Sequence, residues 1–170
     1  MSIELKYDSV AALIAAAEKA GEPLSALVLR QQAVQLEKTE QEVFDQMAET
    51  YKVMAACIEP GCAEDLRSTS GLTGGSAFKM RKAVENGKTL TGGVLGGALY
   101  RALAVSELNA AMGRVVAAPT AGSCGILPAA LLTMQNDLGC SEHDCVMALF
   151  TASAVGMVIA TNACVAEVGS

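Results

Sequence analysis

Aromatic residues are scarce in this sequence, which has no tryptophan and only three tyrosines and three phenylalanines among its 170 residues. Hydrophobic residues nevertheless make up 52% of the chain. A core can therefore form, but it must be built from alanine, leucine, valine, methionine and glycine. Because side chains this small let neighbouring backbones approach closely, we expect tightly packed, buried helices.

Basic clusters and alternating strand patterns are also missing. The net charge is −6, and a nucleic-acid-binding surface would need clustered lysine or arginine to neutralise phosphates. The same charge argues against docking on an anionic membrane. Since no segment alternates apolar and polar residues as a half-buried strand does, we predict an all-α chain with a single helical domain over residues 1–170.

Histidine is nearly absent. His143 is the only histidine in the sequence, whereas cysteine occurs six times. The first ten residues are polar and mixed in charge, so we expect no signal peptide and a reduced, cytoplasmic chain without disulfides. A nucleophilic Cys124 would sit near a helix start, where its pKa would be lowered. It would also need a base, and the exposed-looking position of His143 disfavours that pair. The absence of α/β patterning disfavours Lys79 as a Schiff-base lysine.

One run without charge, residues 145–166, is long enough to cross a membrane. It is rich in small and hydroxyl residues, and acidic residues rather than lysine or arginine flank it. We predict a helix buried inside a soluble domain, with a membrane span as the alternative.

Capping and stop signals predict the helices. The first should cover 10–20, with Asp8 or Ser9 as its cap and Gly21 as its end. Further helices are expected at 24–58, 76–86, 89–112 and 126–138, followed by a last one that Ser141 and Asp144 cap. The segment 59–62 should break the long helix, and Ser76 should cap the helix that follows. Paired glycines at 92–93 and 96–97 predict that the helix over 89–112 is buried.

A first glycine-rich loop covers residues 68–75, "STSGLTGG". Hydroxyl groups and backbone amides could bind an anion there, because the positive end of the next helix points back at the loop. A plain flexible turn is the alternative interpretation. The candidate binding residues of this loop are Ser68, Ser70, Gly71, Thr73, Gly74 and Gly75.

A second loop of the same kind covers residues 119–125, "PTAGSCG". It leads into a helix whose Pro128 suits a first turn, where a missing N–H costs nothing. Two such loops could hold one small carboxylate ligand from two sides. The candidate binding residues here are Pro119, Thr120, Ala121, Gly122, Ser123 and Cys124.

The segments "STSGLTGGSAFKM" and "VVAAPTAGSCGILPAALL" resemble the alpha chain of the iron–sulfur-dependent L-serine dehydratases. The resemblance implies an amino-acid-degrading lyase, without pyridoxal phosphate, that converts L-serine to pyruvate and ammonia and can feed gluconeogenesis. It implies a 4Fe–4S cluster with one iron open to the substrate as a Lewis acid. It also implies that loops 68–75 and 119–125 face the substrate, and that a beta chain or a second copy is the partner.

The cluster ligands are where this sequence departs from the resemblance. The family's cluster cysteines lie in a "GGCQAEVGS"-like motif and further along the chain, whereas this sequence closes on "NACVAEVGS". Cys164 either stands for the first ligand or belongs to the segment before that motif, and the residues around Asn162 favour the second alignment. The spacing of Cys57, Cys62, Cys140 and Cys145 does not suit a cluster. We therefore expect this chain to be incomplete, to lack its C-terminal ligand region and to be cluster-free.

Two classes of function remain open from the sequence. The first is a subunit of an enzyme that dehydrates L-serine. The alternative is a helical interaction subunit, without activity of its own, that pairs with a beta chain.

Overall fold

The computed structural model describes residues 7–118 and 120–162. In those ranges it contains eight helices and no strand, which confirms the all-α prediction. The bounds of the helices are α1 Val10–Ala20, α2 Leu24–Gln35, α3 Glu40–Ala56, α4 Ile58–Gly61, α5 Ser76–Glu85, α6 Gly92–Ala110, α7 Ile126–Leu138 and α8 Glu142–Asn162.

The first helix follows its local signals. Ser9 caps α1 by accepting a hydrogen bond from the Ala12 amide at 3.1 Å, and Gly21 ends the helix with φ of 68°. At α8, Ser141 donates to the Asp144 carboxylate at 2.7 Å and accepts from its amide at 3.1 Å. The predicted caps Ser9 and Ser141 are therefore confirmed. Such caps can be predicted from sequence because each bonds to a residue only three positions further along the chain.

The predicted long helix over 24–58 is wrong. Helix α2 ends at Gln35 and α3 begins at Glu40, with Glu37 at a positive φ of 54° between them. The Thr39 amide donates to the Glu42 carboxylate at 2.9 Å, and the Glu42 amide donates to the Thr39 hydroxyl at 3.2 Å. This reciprocal capping box starts a new helix. The expected break at 59–62 is instead largely taken up by the single turn α4.

The chain forms two compact units. The first combines residues 1–48 with 146–170, and the second is residues 49–145. In the first unit, the Gln31 side chain donates to the Tyr7 hydroxyl at 2.7 Å, and the Asn162 side chain donates to the Asp8 carbonyl at 3.0 Å. Both predicted loops lie in the second unit.

Helix α8 is the one helix of the described residues that is long and apolar enough to span a membrane, judged by length and composition alone. Of its most apolar stretch, 33% is buried. The buried side chains recur at three- and four-residue steps, as on one face of a helix. They are Cys145, Val146, Leu149, Phe150, Ala154 and Val158. Burial of α8 in the structure is therefore confined to one face of the helix, whereas the sequence predicted a helix buried inside the domain.

Helix α6 organises the second unit, since α4, α5 and α7 all pack on it. A Cβ at Gly61 of α4 would lie 2.1 Å from the Ala104 carbonyl oxygen of α6. At the start of α7, a Cβ at Gly125 would lie 2.5 Å from the Ala102 carbonyl oxygen. Glycine at these two positions lets the neighbouring helices touch the α6 backbone.

The predicted burial of α6 is correct for only one side of the helix. Gly96 and Gly97 are buried, whereas Gly92 and Gly93 are exposed. Three leucines at four-residue intervals stay exposed by 56%, 40% and 37%: Leu95, Leu99 and Leu103.

Candidate functional site

The first loop is closed by hydrogen bonds between its own residues. The Ser68 amide donates to the Thr73 carbonyl at 2.9 Å, and the Thr73 amide donates to the Ser68 hydroxyl at 3.2 Å. The hydroxyls of Ser68 and Ser70 are 3.1 Å apart, and the Gly71 amide donates to the Ser68 carbonyl at 2.8 Å. These bonds fix the turn, and the hydroxyl groups of Ser68 and Ser70 take part in them.

Thr69 fastens this loop to the C-terminal end of α6. Its amide donates to the Ala110 carbonyl at 3.0 Å, and its hydroxyl lies 3.3 Å from the same oxygen. Ala110 is the last residue of α6, so its carbonyl has no partner in the helix and is available to the loop.

The second loop has a similar internal network. The hydroxyls of Thr120 and Ser123 lie 3.1 Å apart, and Ser123 donates to the Ala118 carbonyl at 2.9 Å. The Asn109 side chain donates to the Ala121 carbonyl at 3.3 Å, which ties this loop to α6 as well. The predicted residue Pro119 lies outside the described residues.

The two loops therefore meet at one end of α6. Consecutive residues of that helix, Asn109 and Ala110, hold loop 119–125 and loop 68–75 respectively. The fold places both loops at this end of α6, although about fifty positions separate them in the sequence. Both loops are anchored at the last turn of α6, and their contact with one shared ligand stays a prediction.

The start of α5 differs from the prediction, because Gly75, not Ser76, is the N-cap. Since glycine has no side chain, the cap residue leaves the first amides of the helix to other partners. The carboxylate of Glu107 on α6 accepts from the amides of Gly75 at 3.0 Å, Ser76 at 2.7 Å and Ala77 at 3.3 Å. The expected open anion cradle is thus already filled by an internal carboxylate.

Glu107 was missed by the sequence reasoning, although a signal was present. In the apolar segment "ALYRALAVSELNA" the two charged residues are Arg101 and Glu107. Both are buried, with 6% and 9% of their surface exposed. A charge that is buried needs partners, so each residue pointed to a specific polar contact.

Among the described residues, no carboxylate bonds to the start of α7 in the same way. Gly125 is its N-cap, and no side chain of that cap residue bonds to the first turn. Pro128 lies in this first turn as predicted and is buried. Of the two helix starts, α7 is the one without a capping side chain, although its Ile126 amide donates to the Ser123 carbonyl at 3.2 Å and Pro128 has no N–H.

Cys124 does not have the environment of a nucleophile. Its side chain is 0% exposed, and burial raises the pKa of its thiol. The nucleophile that the sequence disfavoured would need a lowered pKa, whereas desolvation disfavours the thiolate here. The His143 side chain is 68% exposed and lies 3.8 Å from Asp144. Lys79 is on the exposed side of α5.

The other described cysteines are dispersed. Cys57, Cys62 and Cys145 are buried, and burial is the main cause that raises the pKa of each thiol. Within residues 7–118 and 120–162, no three or more histidine, cysteine or acidic side chains come together as a metal site would require. The described residues thus do not fit a 4Fe–4S cluster, and Cys164 lies outside them.

A separate cavity of about 400 Å³ lies between α5, α6 and α7. Arg101 lines it and binds the Asp137 carboxylate through two bonds of 2.7 and 3.1 Å, with a third bond of 2.9 Å to Thr133. The guanidinium also lies 5.1 Å from the centre of the Tyr100 ring. These contacts occupy the arginine, so this pair supports helix packing.

Comparison with known proteins supports the family resemblance seen in the sequence. The family model described as "Serine dehydratase alpha chain" matches residues 19–169. A probable L-serine dehydratase alpha chain of Bacillus subtilis is 39% identical over 86% of this chain and 51% of its own length. The L-serine dehydratase of Streptomyces coelicolor is 34% identical over 92% of this chain and 35% of its own length. The L-serine dehydratase alpha chain of Peptoniphilus asaccharolyticus is 30% identical over 85% and 52%. No solved structure matches.

Proposed function

Because this chain belongs to the serine dehydratase alpha chain family, we propose that the protein of which it is part dehydrates L-serine. In that reaction serine loses its α-proton and its hydroxyl group as water, and the resulting aminoacrylate becomes an imine that hydrolyses to pyruvate and ammonia. The names of the relatives support this substrate. The chain spans about half the length of the alpha chains that it matches, so the whole activity is a property we propose for the larger protein.

The meeting of two hydroxyl-bearing loops at the end of α6 carries this proposal. We place the substrate carboxylate at loop 119–125, since the start of α7 has no capping side chain and a helix start favours an anion. Thr120 would donate a hydroxyl hydrogen bond to it, and Ser123, whose own hydroxyl donates to the Ala118 carbonyl at 2.9 Å, would hold the loop in place. Ser68, Ser70 and Thr73 of the first loop would orient the α-carbon from the other side.

We assign the 4Fe–4S cluster that the resemblance implies to ligands beyond the described residues, because no three cysteine, histidine or acidic side chains come together within those residues. The present chain is accordingly proposed to supply the substrate-holding loops. A cytoplasmic location is part of the same proposal.

One observation favours a second function, namely an interaction subunit that pairs with a beta chain. Leu95, Leu99 and Leu103 form an exposed stripe along α6, and such apolar surface suits a protein contact. The two functions are compatible, because α6 carries the loops on its last turn and the stripe along its exposed side.

Pyruvate formation from L-serine tests the enzyme proposal. The full-length protein, with its beta chain if separate, is loaded anaerobically with iron and sulfide. We expect Thr120→Ala to lower kcat/KM by about 10- to 100-fold, the cost of losing a hydrogen bond to a charged group. The matched control is Thr89→Ala at the other end of α6, which should stay within about twofold of wild type, because its hydroxyl makes only a 3.5 Å contact with the Gly92 carbonyl.

The outcomes separate the two parts of the proposal. A cluster-loaded wild type that forms no pyruvate would reject the dehydratase function. Pyruvate formation with equal kcat/KM in the two threonine variants would reject the carboxylate site at loop 119–125 and leave the function standing.

A further inference from the structure

Glu107 is a buried carboxylate with three backbone partners. Only 9% of the residue is exposed, and its two oxygens accept from the amides of Gly75, Ser76 and Ala77 at 2.7–3.3 Å. A buried charge is costly without partners, whereas the start of a helix offers both amide donors and a positive end. The Glu107 carboxylate thus occupies the position at the start of α5 where an external anion could otherwise bind.

The same turn of α6 holds the first loop at its other end. Thr69 binds the Ala110 carbonyl through its amide at 3.0 Å, and Gly75 binds Glu107 at 3.0 Å. The residues from Ser70 to Gly74 lie between these two anchors. Gly74, with φ of 142°, passes so close to the Leu66 carbonyl that a Cβ would lie 2.2 Å from it.

We propose that Glu107 is a positioning residue that fixes loop 68–75 for binding of the amino-acid substrate. It acts through the backbone of Gly75 and Ser76 and does not touch the substrate itself. Its carboxylate takes the place of an external anion at α5, which leaves the α7 side for the substrate carboxylate. The role in substrate binding rests on the proposed function, whereas the anchoring of the loop can be measured without any activity.

Hydrogen exchange and steady-state kinetics of the full-length protein test this role. Glu107→Gln keeps the size of the side chain but removes its charge and turns one acceptor into a donor that opposes an amide. We expect amide exchange in peptides covering 68–77 to be at least about tenfold faster, because lost protection reports local opening. The KM for L-serine should rise about tenfold with kcat changed less than about threefold, the pattern of lost ground-state binding.

Asp137→Asn is the matched control. It also removes a carboxylate that packs on α6, but this one pairs with Arg101 and, among the described residues, does not hydrogen-bond to either loop. We expect it to lower the unfolding temperature while leaving exchange in 68–77 and the KM at wild-type values. Glu107→Asp retains the charge on a shorter side chain, so it should restore part of the protection and of the KM.

Unchanged exchange in 68–77 in Glu107→Gln would overturn the proposal, as would equal exchange and KM changes in the Asp137 control. If Glu107→Gln does not fold, Glu107→Asp decides by the same two measurements, and wild-type values there would also overturn it. A wild type without serine dehydratase activity rejects the proposed function, while faster exchange confined to 68–77 would still support Glu107 as the anchor of the loop.

Discussion

Single residues fix the shape of the first loop, and Gly74 is the most constrained of them. Its φ of 142° lies in a region that side chains with a Cβ rarely adopt, and its Cα approaches the Leu66 carbonyl closely. Gly71, in the same loop, also has a positive φ of 73° but has open space around it. Both positions favour glycine because φ is positive, but of the two only Gly74 also lacks room for a Cβ.

We expect Gly74→Ala to lower the free energy of unfolding by about 3 kcal/mol or more, because backbone strain and the clash with Leu66 act together. Gly71→Ala should cost only about 1–2 kcal/mol, the cost of the left-handed conformation alone. Urea denaturation of both variants checks this difference. Equal losses would show that the contact between Gly74 and Leu66 is absent in solution.

Burial of single residues also decides their chemistry. Cys124 lies in a loop beside a helix start, where a reactive thiol was considered from the sequence and disfavoured because no suitable base was found. The fully buried side chain instead has a raised pKa, and it packs as a small hydrophobic residue. Its backbone can still belong to the loop that faces the ligand.

At the scale of the helices, the ends are set by short-range signals. Glu37 lies between α2 and α3 with a positive φ of 54°, a conformation that costs a residue with a Cβ about 1–2 kcal/mol. The side chain is exposed. Glycine at this position would adopt the same backbone without that cost, although it would also make the unfolded chain more flexible.

Glu37→Gly is therefore expected to raise the free energy of unfolding by about 0.5–1 kcal/mol. The control is Ala130→Gly, an exposed position inside α7, where the same new residue should cost about 1 kcal/mol. Thermal and urea unfolding at neutral pH measure both. A loss of stability in Glu37→Gly would mean that the link between α2 and α3 does not hold this turn in solution.

Across the described molecule, the thiols are too dispersed to act as one metal site. Cys57 illustrates why, since its sulfur lies 3.1 Å from the Val53 carbonyl and 3.3 Å from the Arg114 carbonyl. Cys145 lies 3.6 Å from the Leu131 carbonyl. These two buried thiols are thus engaged with the backbone around them.

Single alanine substitutions of Cys57, Cys62 and Cys145 should leave the iron content of the reconstituted full-length protein at the wild-type value. Iron analysis and the brown cluster absorption measure this. Cys164→Ala distinguishes the two sequence alignments, and we expect it to keep its iron. Loss of iron in the Cys57, Cys62 or Cys145 variant would contradict the assignment of the ligands outside the described residues.

The sequence by itself determined the helical class, most helix ends, the two glycine-rich loops and the family. These depend on neighbours within a few positions, as the bond between Ser9 and Ala12 shows, or on motifs that are contiguous. The break at Thr39 had such a signal as well, because a capping box with Glu42 can be recognised from spacing.

Only the tertiary structure decided what each loop has as its partner. Glu107 meets the amides of α5 from 30 to 32 positions away, and Asn109 and Ala110 bring the two loops to one end of α6. Local sequence patterns indicate which backbone and side-chain groups need a hydrogen-bond partner. The packing of the helices determines which residue becomes that partner. For that reason the sequence predicted two open anion sites, and the structure left only one of them without an internal carboxylate.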